Sequence, residues 1–213
     1  MTGFPFGQPL SQSFYERETI SVAQELLGCV FVCYENGIAV GGVIVETEAY
    51  LWDDPASHSF GGLRSRNRVM FGSPGRLYTY LIYGVNWCAN AVTHSEGTGE
   101  AVLIRALEPI CGIERMRARR GAVKPARLCS GPGCVCQALG LNGGHYGLPL
   151  FEGEVQICGS PAFDRPIVES TRIGLTKAAE KPWRFYLADS RCVSRHVTAG
   201  LELVSDARRQ TPD

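Results

Sequence analysis

The sequence predicts one mixed α/β domain of the α+β type, with a curved, mainly antiparallel sheet, flanking helices and a protruding β-hairpin. Three observations lead to this fold class. Strand-like segments outnumber helical ones, two of them are separated only by a short turn, and no repeat or low-complexity linker divides the 213 residues. We therefore expect a single domain over residues 13–205, between a loose N-terminal arm at 1–12 and a C-terminal tail at 206–213.

The first half of this domain is predicted to hold one helix and four strands. In order, the elements are a helix that ends at Gly28, a strand that follows it directly, a strand over 40–51, and two hairpin strands over 77–82 and 87–92. Val22, Leu26 and Leu27 share one helical face before the glycine, which is a common helix end. The hairpin is predicted because two strand-like runs rich in β-branched and aromatic residues lie on either side of Gly84.

The second half is predicted to alternate short helices with strands. In order, the elements are a buried strand over 100–109, a basic helix over 111–121, a short helix over 136–141, and strands over 154–158 and 183–187. Gly121 ends the basic helix, and the stretch from Ser130 to Leu150 is rich in turn-forming Gly and Pro.

Composition narrows the class of protein and its surroundings. The nine cysteines are odd in number, and no charged and then apolar leader opens the chain, so we expect a reducing intracellular compartment without disulfides. No apolar run approaches the roughly 20 residues of a spanning helix, so we expect no membrane insertion.

Charge is unevenly distributed along the chain. The net charge is zero, but residues 63–127 carry eleven basic and four acidic residues, a local charge of +7. Such a run is usually a solvated surface. It can also be a face that binds a polyanion, which makes the features beside it informative.

Two acidic residues lie in the strand that ends with "IVETEAY". Glu46, Glu48 and Tyr50 fall on one strand face because the side-chain period is two. A carboxylate in a partly dry pocket is suited to act as a general base. The alternative is that both acids pair with arginines on a neighbouring strand.

Aromatic residues predicted to lie near this strand suggest a site for a flat ligand. His58 follows in a turn-forming loop, and the hairpin carries Tyr78 and Tyr80. Stacking on such rings is worth about 1 to 3 kcal/mol per nucleic-acid base. Tyr83 lies at the hairpin turn, where a ring can act as a wedge between base pairs. The alternatives are a surface histidine for His58, and for Tyr83 a ring folded onto the sheet or used in a protein contact.

These residues lie in blocks that resemble one protein family, the alkyladenine (3-methyladenine, or 3-methylpurine) DNA glycosylases. The blocks run in one order from about Gly28 to Leu187 and are "GVIVETEAYL", "ASHSFGG", "RNRVMFGSPGRLYTYLIYGVNWCAN", "AVLIRALEP", "LCSGPG", "CQALGL" and "TRIGLTKAAEKPWRFYL". The resemblance implies hydrolytic removal of 3-methyladenine, 7-methylguanine, hypoxanthine and ethenoadenine from duplex DNA. None of the residues to which the resemblance gives a pocket role is a lysine, which argues against a Schiff base, so we expect a monofunctional enzyme that leaves an abasic site.

The resemblance also implies roles for individual residues. Glu48 would be the general base, and Arg105 would hold the water and a phosphate. Tyr50 would lie on one side of the flipped base and His58 with Tyr80 on the other, while Asn90 would form the pocket floor. Tyr83 would be the intercalating wedge, and the main chain near Ile173 would contact the water. Glu46 would be structural. The implied partner is double-stranded DNA with a damaged purine. We expect no cofactor, no metal, no obligate protein partner and a monomer, in the bacterial cytoplasm and nucleoid or in a nucleus.

The chain departs from the family pattern at two functional positions and in one loop, where Gly143 and Gly144 replace more polar residues. Arg64 and Ser65 precede "RN", where a threonine and a proline are common, and Cys134 follows "GPG", where a lysine is common. The first adds charge near the expected DNA face, and the second removes an expected phosphate contact.

Three other interpretations remain open at this point, one of which is a nucleoside or RNA glycosidase that prefers free nucleosides or single strands. Cys129, Cys134 and Cys136, with His145 nearby, could hold zinc, although the C-x4-C-x-C spacing lacks the paired C-x2-C of structural sites. The chain could also be a non-catalytic module that recognises distorted nucleic acid through the wedge and the basic face. Release of a damaged base by the chain, lost in Glu48→Gln, distinguishes the enzyme from the module.

Overall fold

The computed structural model describes residues 6–159 and 164–196 and one further strand at 202–204. Its helices are α1 (Gln12–Tyr15), α2 (Thr19–Glu25), α3 (Ile113–Arg120) and α4 (Pro132–Leu139). Its strands are β1 (Val30–Glu35), β2 (Ile38–Tyr50), β3 (Leu77–Ile82), β4 (Asn86–Thr93), β5 (Glu100–Cys111), β6 (Val155–Cys158), β7 (Ile167–Ser170), β8 (Arg184–Leu187) and β9 (Glu202–Val204). Short 3-10 turns cover Ser65–Phe71, Pro125–Arg127 and Gly143–His145.

The described strands form one curved sheet in which every pair is antiparallel. The main order is β3-β4-β5-β2-β8-β7-β9, and β1 and β6 extend it from β2. The long strand β2 is central, because β5 follows one of its edges while β1 and β8 share the other. This arrangement confirms the predicted fold class.

Two irregularities in β2 shape the sheet near the acidic residues. Gly41 and Gly42 lie where β1 and β5 approach so closely that a side chain would collide with the carbonyls of Phe31 and Glu108. Further along, the β2–β5 register shifts on both sides of Glu46, so that Arg105 lies at a bulge of β5. Bulges commonly redirect a side chain next to a functional site.

One apolar core lies between the sheet and its helices. Helix α2 packs on β2 and β5, and α4 packs on β4 and β5. Leu26, Val135, Leu139 and Phe185 are among the fully buried residues of this core. The core fixes the central strands, and the hairpin of β3 and β4 projects from their edge.

Most predicted elements are confirmed, and the errors are local. The hairpin strands, β5 and the basic helix lie where predicted. The single N-terminal helix is wrong: the chain breaks between α1 and α2, where Arg17 bonds the carbonyl of Phe14 and pairs with Glu25. The predicted helix over 136–141 begins earlier, at Pro132.

The ends of the chain are described only in part. Of the predicted arm, residues 6–12 are described, and they lie against β6, with a bridge from Pro9 to Cys158 and a bond from Leu10 N–H to the carbonyl of Ile157. Residues 1–5 and the predicted tail at 206–213 lie outside the described residues. In the described part of the chain, no helix has both the length and the apolar character needed to cross a membrane.

Candidate active site

An aromatic cavity of about 170 Å³ lies between the end of β2, the loop that follows it and the hairpin. Its lining residues are Tyr50, Ala56, Ser57, His58, Met70, Tyr78, Tyr80, Ile82, Asn90, Ala101 and Leu175. A wider hollow of about 500 Å³ adjoins it and extends along the hairpin to Tyr83 and Arg66. Because a cavity of about 150 Å³ holds a benzene ring, the aromatic cavity admits a flat ring that enters from the hollow.

Glu48 lies behind the cavity wall and is completely buried. Its Oε2 accepts a hydrogen bond from the hydroxyl of Tyr50 at 2.8 Å. Its Oε1 accepts the N–H of Ile173 at 2.8 Å and lies 3.2 Å from Nη1 of Arg105. The carboxylate therefore meets the cavity through Tyr50, whose ring is part of the lining.

Glu46 lies on the same strand face as Glu48 and is surrounded by cations. Its Oε1 lies 3.0 Å from Nε of Arg105 and 2.7 Å from Nε of Arg184 and accepts the hydroxyl of Ser194, while its Oε2 accepts the backbone N–H of Ser194. Burial by itself raises the pKa of Glu46, but the charges of Arg105 and Arg184 and the Ser194 N–H outweigh it and hold this pKa below its ordinary value. Glu46 is thus an ionised anchor for both guanidinium groups.

The structure agrees with both interpretations of the acidic strand, the shared direction of the two glutamates and their pairing with arginines. They point the same way, as the strand period predicts, since Arg105 contacts both carboxylates. They also pair with arginines on neighbouring strands, β5 and β8, as the alternative holds. Glu46 is enclosed by that network, whereas Glu48 shares it with Tyr50.

Tyr50 and His58 are two ionisable groups of the cavity, and both stay neutral at pH 7. Burial and the neighbouring Glu48 raise the pKa of Tyr50 far above its ordinary value, so its hydroxyl remains a donor. Burial, helped by the charge of Arg66, lowers the pKa of His58. The ring of His58 shares a hydrogen bond of 2.9 Å with the hydroxyl of Tyr78 and lies 4.5 Å from the ring of Tyr80.

The hairpin supplies one side of the cavity and a projecting tip. Asn90 is buried on β4 and donates to the carbonyl of Tyr78, its partner on β3. At the tip, Tyr83 is 89% exposed and has a φ of 51°, in the left-handed region, followed by Gly84 with a φ of 69°. The ring of Tyr83 therefore stands in solvent and is not folded onto the sheet.

The structure brings the predicted site residues together, with Tyr83 at the outer end of the hollow. It also adds four residues that sequence reasoning missed, namely Asp54, Asn67, Arg172 and Arg184. Asn67 is buried and donates to the carbonyl of His58. Arg172 and Asp54 form a buried ion pair behind Tyr50. Arg172 and Arg184 both lie in the block "TRIGLTKAAEKPWRFYL" of the resemblance, but nothing local marks them as partners of residues more than 100 positions away.

The cysteine-rich segment does not form a common centre. Cys129 contacts the sulfur of Met116, and Cys134 contacts the guanidinium of Arg120. His145 accepts a hydrogen bond from the backbone N–H of Asn142. Across the described residues, no group of three or more potential ligands is arranged to hold a metal ion. The nine cysteines all lie among the described residues, and none is part of a disulfide.

Much of the positive charge in residues 63–127 is compensated internally. Arg115 and Arg119 pair with Glu35, and Arg117 pairs with Glu114. Arg64, Arg66 and Arg68, in contrast, are exposed, and the described residues provide no carboxylate within ion-pair distance of them. Part of the uncompensated charge thus lies at the start of the 3-10 turn beside the hairpin, next to the cavity.

Comparison with known proteins gives one consistent result. A family model described as "Methylpurine-DNA glycosylase (MPG)" matches residues 13–191. A protein of Methanoculleus marisnigri named "Putative 3-methyladenine DNA glycosylase" is 52% identical over 190 residues, which cover 87% of this chain and 98% of that protein. Proteins with the same name from Rhodopseudomonas palustris (strain HaA2) and Rhizobium meliloti are 51% and 50% identical, over 88% and 85% of this chain and 91% and 94% of their own lengths.

Proposed function

Since this chain belongs to the methylpurine-DNA glycosylase family, we propose that it hydrolyses the bond between a damaged purine and deoxyribose in double-stranded DNA. The products would be the free base and an abasic site. We propose 3-methyladenine, 7-methylguanine, hypoxanthine and ethenoadenine as its substrates. All four are flat, which suits a cavity lined by Tyr50, His58 and Tyr80.

The observation that carries this proposal is the contact between Glu48 and Tyr50. The hydroxyl of Tyr50 lies 2.8 Å from the carboxylate, while its ring lines the cavity. A base stacked on that ring would bring its glycosidic bond close to the carboxylate. The same geometry that binds the base thus supplies a general base for water.

The hydrogen bonds of Glu48 are compatible with a bound water. Three donors reach it among the described residues: the N–H of Ile173, Nη1 of Arg105 and the hydroxyl of Tyr50. A carboxylate offers about four acceptor positions, so one position remains for the attacking water. We place that water on Oε2 in this proposal, because Oε1 already has two donors.

The chemical step follows from these roles. For 3-methyladenine, the water oxygen bonds to C1′ as the bond from C1′ to nitrogen breaks, and the electron pair leaves with the base. Because the alkylated base is cationic, it departs as a neutral molecule and needs no acid. Glu48 accepts the proton of the water, and the positive charge of Arg105 balances the carboxylate before that transfer. The described lining contains no lysine, which supports a hydrolytic and not a Schiff-base route.

The remaining residues account for capture of the base. We propose that Tyr83 fills the gap in the duplex, that Tyr50 stacks on one side of the flipped purine and His58 with Tyr80 on the other, and that Asn90 opposes the exocyclic amine of normal guanine. The exposure of Tyr83 and the neutral state of His58 support these roles. The exposed turn with Arg66 would meet the phosphates nearby.

The test is base release from a duplex that carries one hypoxanthine or one 3-methyladenine. The chain should release the base, and Glu48→Gln should lower the rate by about 10²–10⁴-fold, the usual value of a general base. Glu108→Gln is the control, because Glu108 is a partly buried carboxylate that pairs with Arg165 outside the cavity.

The labelled strand should stay intact until alkali cleaves the abasic site, as expected of a monofunctional enzyme. Preferential binding of the lesion duplex without release, equal in the parent chain and in Glu48→Gln, would instead identify a non-catalytic module. Preference for a free nucleoside or a single strand would point to another glycosidase.

A further inference from the structure

Arg172 is a buried guanidinium that lies behind the aromatic cavity and not in it. Its side chain is fully buried, and it forms a two-pronged ion pair with Asp54. It also donates to the carbonyl of Ala49, the residue before Tyr50, at 3.0 Å. Its guanidinium carbon lies 4.7 Å from the centre of the Tyr50 ring. Arg172 therefore holds both the backbone and the ring of one wall of the cavity.

Asp54 connects the same pair to the opposite wall. Its Oδ1 accepts the N–H of Ala56 at 3.0 Å, and its carbonyl accepts the N–H of Ser57 at 2.8 Å. These bonds define the turn that leads to His58, and Ala56, Ser57 and His58 all line the cavity. Asp54 thus determines where the His58 side of the cavity lies.

Arg172 is also adjacent in the chain to the peptide that holds the carboxylate. The N–H of Ile173, the next residue, donates to Oε1 of Glu48 at 2.8 Å. On its far side, Arg172 lies 5.1 Å from the centre of the Trp183 ring and donates to the carbonyl of Ala178. Each of the two terminal nitrogens of the guanidinium therefore has two acceptors, which leaves the group little freedom to shift.

We propose that the Arg172–Asp54 pair is a positioning element that sets the gap between Tyr50 and His58 and aligns Glu48 with a base held in that gap. The pair touches neither base nor water and acts through the residues it holds. This inference rests on the proposed function for the nature of the ligand, a purine turned out of duplex DNA. The fork geometry is essential, since a lysine offers one point charge where arginine makes several fixed bonds.

Two sets of changes test the proposal. Arg172→Lys keeps the charge beside Asp54 and removes the fork. The double variant Asp54→Asn with Arg172→Met removes both buried charges together, which proteins tolerate better than the loss of one partner. Arg165→Lys is the matched control, because Arg165 bonds Glu108 and Asp189 in a similar way far from the cavity lining. Melting temperatures establish that each variant is folded.

Binding is measured with three duplexes: one with 2′-fluoro-2′-deoxyinosine, which resists hydrolysis, one with a tetrahydrofuran abasic site, and one undamaged. Both Arg172 variants should prefer the inosine duplex over the undamaged one about tenfold less than the parent does, because a displaced Tyr50 ring stacks less well on the base. Affinity for the abasic duplex should stay within about twofold, because the wedge is intact. Release of hypoxanthine should fall by about 10- to 100-fold, as displacements of about 1 Å can cause.

The outcomes separate this inference from the proposed function. If the parent chain prefers the inosine duplex but releases no base, the proposed function fails, and the binding comparison still decides the role of the pair. If a folded variant keeps the preference, if abasic affinity falls as much as lesion affinity, or if the parent chain has no preference, the inference is overturned. An equal loss in Arg165→Lys would also overturn it.

Discussion

Replacing Tyr83 by glycine should make the protein more stable and less active at once. Tyr83 is 89% exposed, so removing its ring sacrifices little buried surface. Its φ of 51° costs about 1–2 kcal/mol for a residue with a side chain and almost nothing for glycine. Glycine also makes the unfolded chain more flexible, which lowers the free energy of unfolding by about 0.4–1 kcal/mol. The net stabilisation should be about 0.5–1 kcal/mol, or an increase of about 1–4 °C in melting temperature for a domain of this size.

Excision from duplex DNA should change in the opposite direction. Loss of a stacking ring worth about 1–3 kcal/mol predicts a decrease of about 5- to 150-fold in the rate of hypoxanthine release under single-turnover conditions. Tyr83→Phe is the control, since it keeps the ring and the backbone strain, and it should retain most of the activity. The decrease should be smaller when the lesion lies in an unpaired bulge, where the duplex opens easily. Excision by Tyr83→Gly within about twofold of the parent, or a lower melting temperature, would refute the reasoning.

Three further predictions concern charge. Glu46→Gln should destabilise the fold by about 3 kcal/mol in chemical unfolding, because it leaves Arg105 and Arg184 without a buried counter-charge. Since the pKa of Glu46 lies below its ordinary value of 4.5, the parent should lose stability as the pH falls below about 4.5. An equally steep loss in Glu46→Gln would show that Glu46 is not the group responsible. His58 should titrate below its ordinary pKa of 6.5 in an NMR titration, and Arg66→Ala should raise the midpoint; an unchanged midpoint would exclude the charge of Arg66 as a cause. Affinity for the DNA duplex should fall as the salt concentration rises, and Arg66→Ala should reduce the slope of log affinity against log salt by about 1. An unchanged slope would place Arg66 away from the phosphates.

Features encoded by neighbouring residues could be predicted from the sequence. The hairpin and the exposed tip at Tyr83 follow from two apolar strands around a glycine turn. The common direction of Glu46 and Glu48 follows from the strand period and is confirmed by their shared contact with Arg105. These are short-range consequences of backbone geometry, so spacing alone is enough to find them.

Features that depend on distant residues could not be found in this way. The break between α1 and α2 places buried Thr19 against Thr93 and Glu100, which no local pattern reveals. The 3-10 turn at Ser65–Phe71 and the short strand β7 were missed because neither has a clear period. Arg172 and Asp54 are 118 positions apart in the sequence. They form a pair only because the folded sheet brings both of their loops behind Tyr50.

The hairpin also determines a length. Tyr80 and Tyr83 belong to the same strand and its turn, three residues apart, which corresponds to about 10 Å at about 3.3 Å per residue. Paired backbone bonds between β3 and β4 keep this span rigid, so the tip cannot advance into a duplex unless the cavity advances with it. Insertion of the Tyr83 ring into the duplex and entry of the displaced nucleotide into the cavity are thereby mechanically linked. Lengthening the hairpin by two residues would separate these two events.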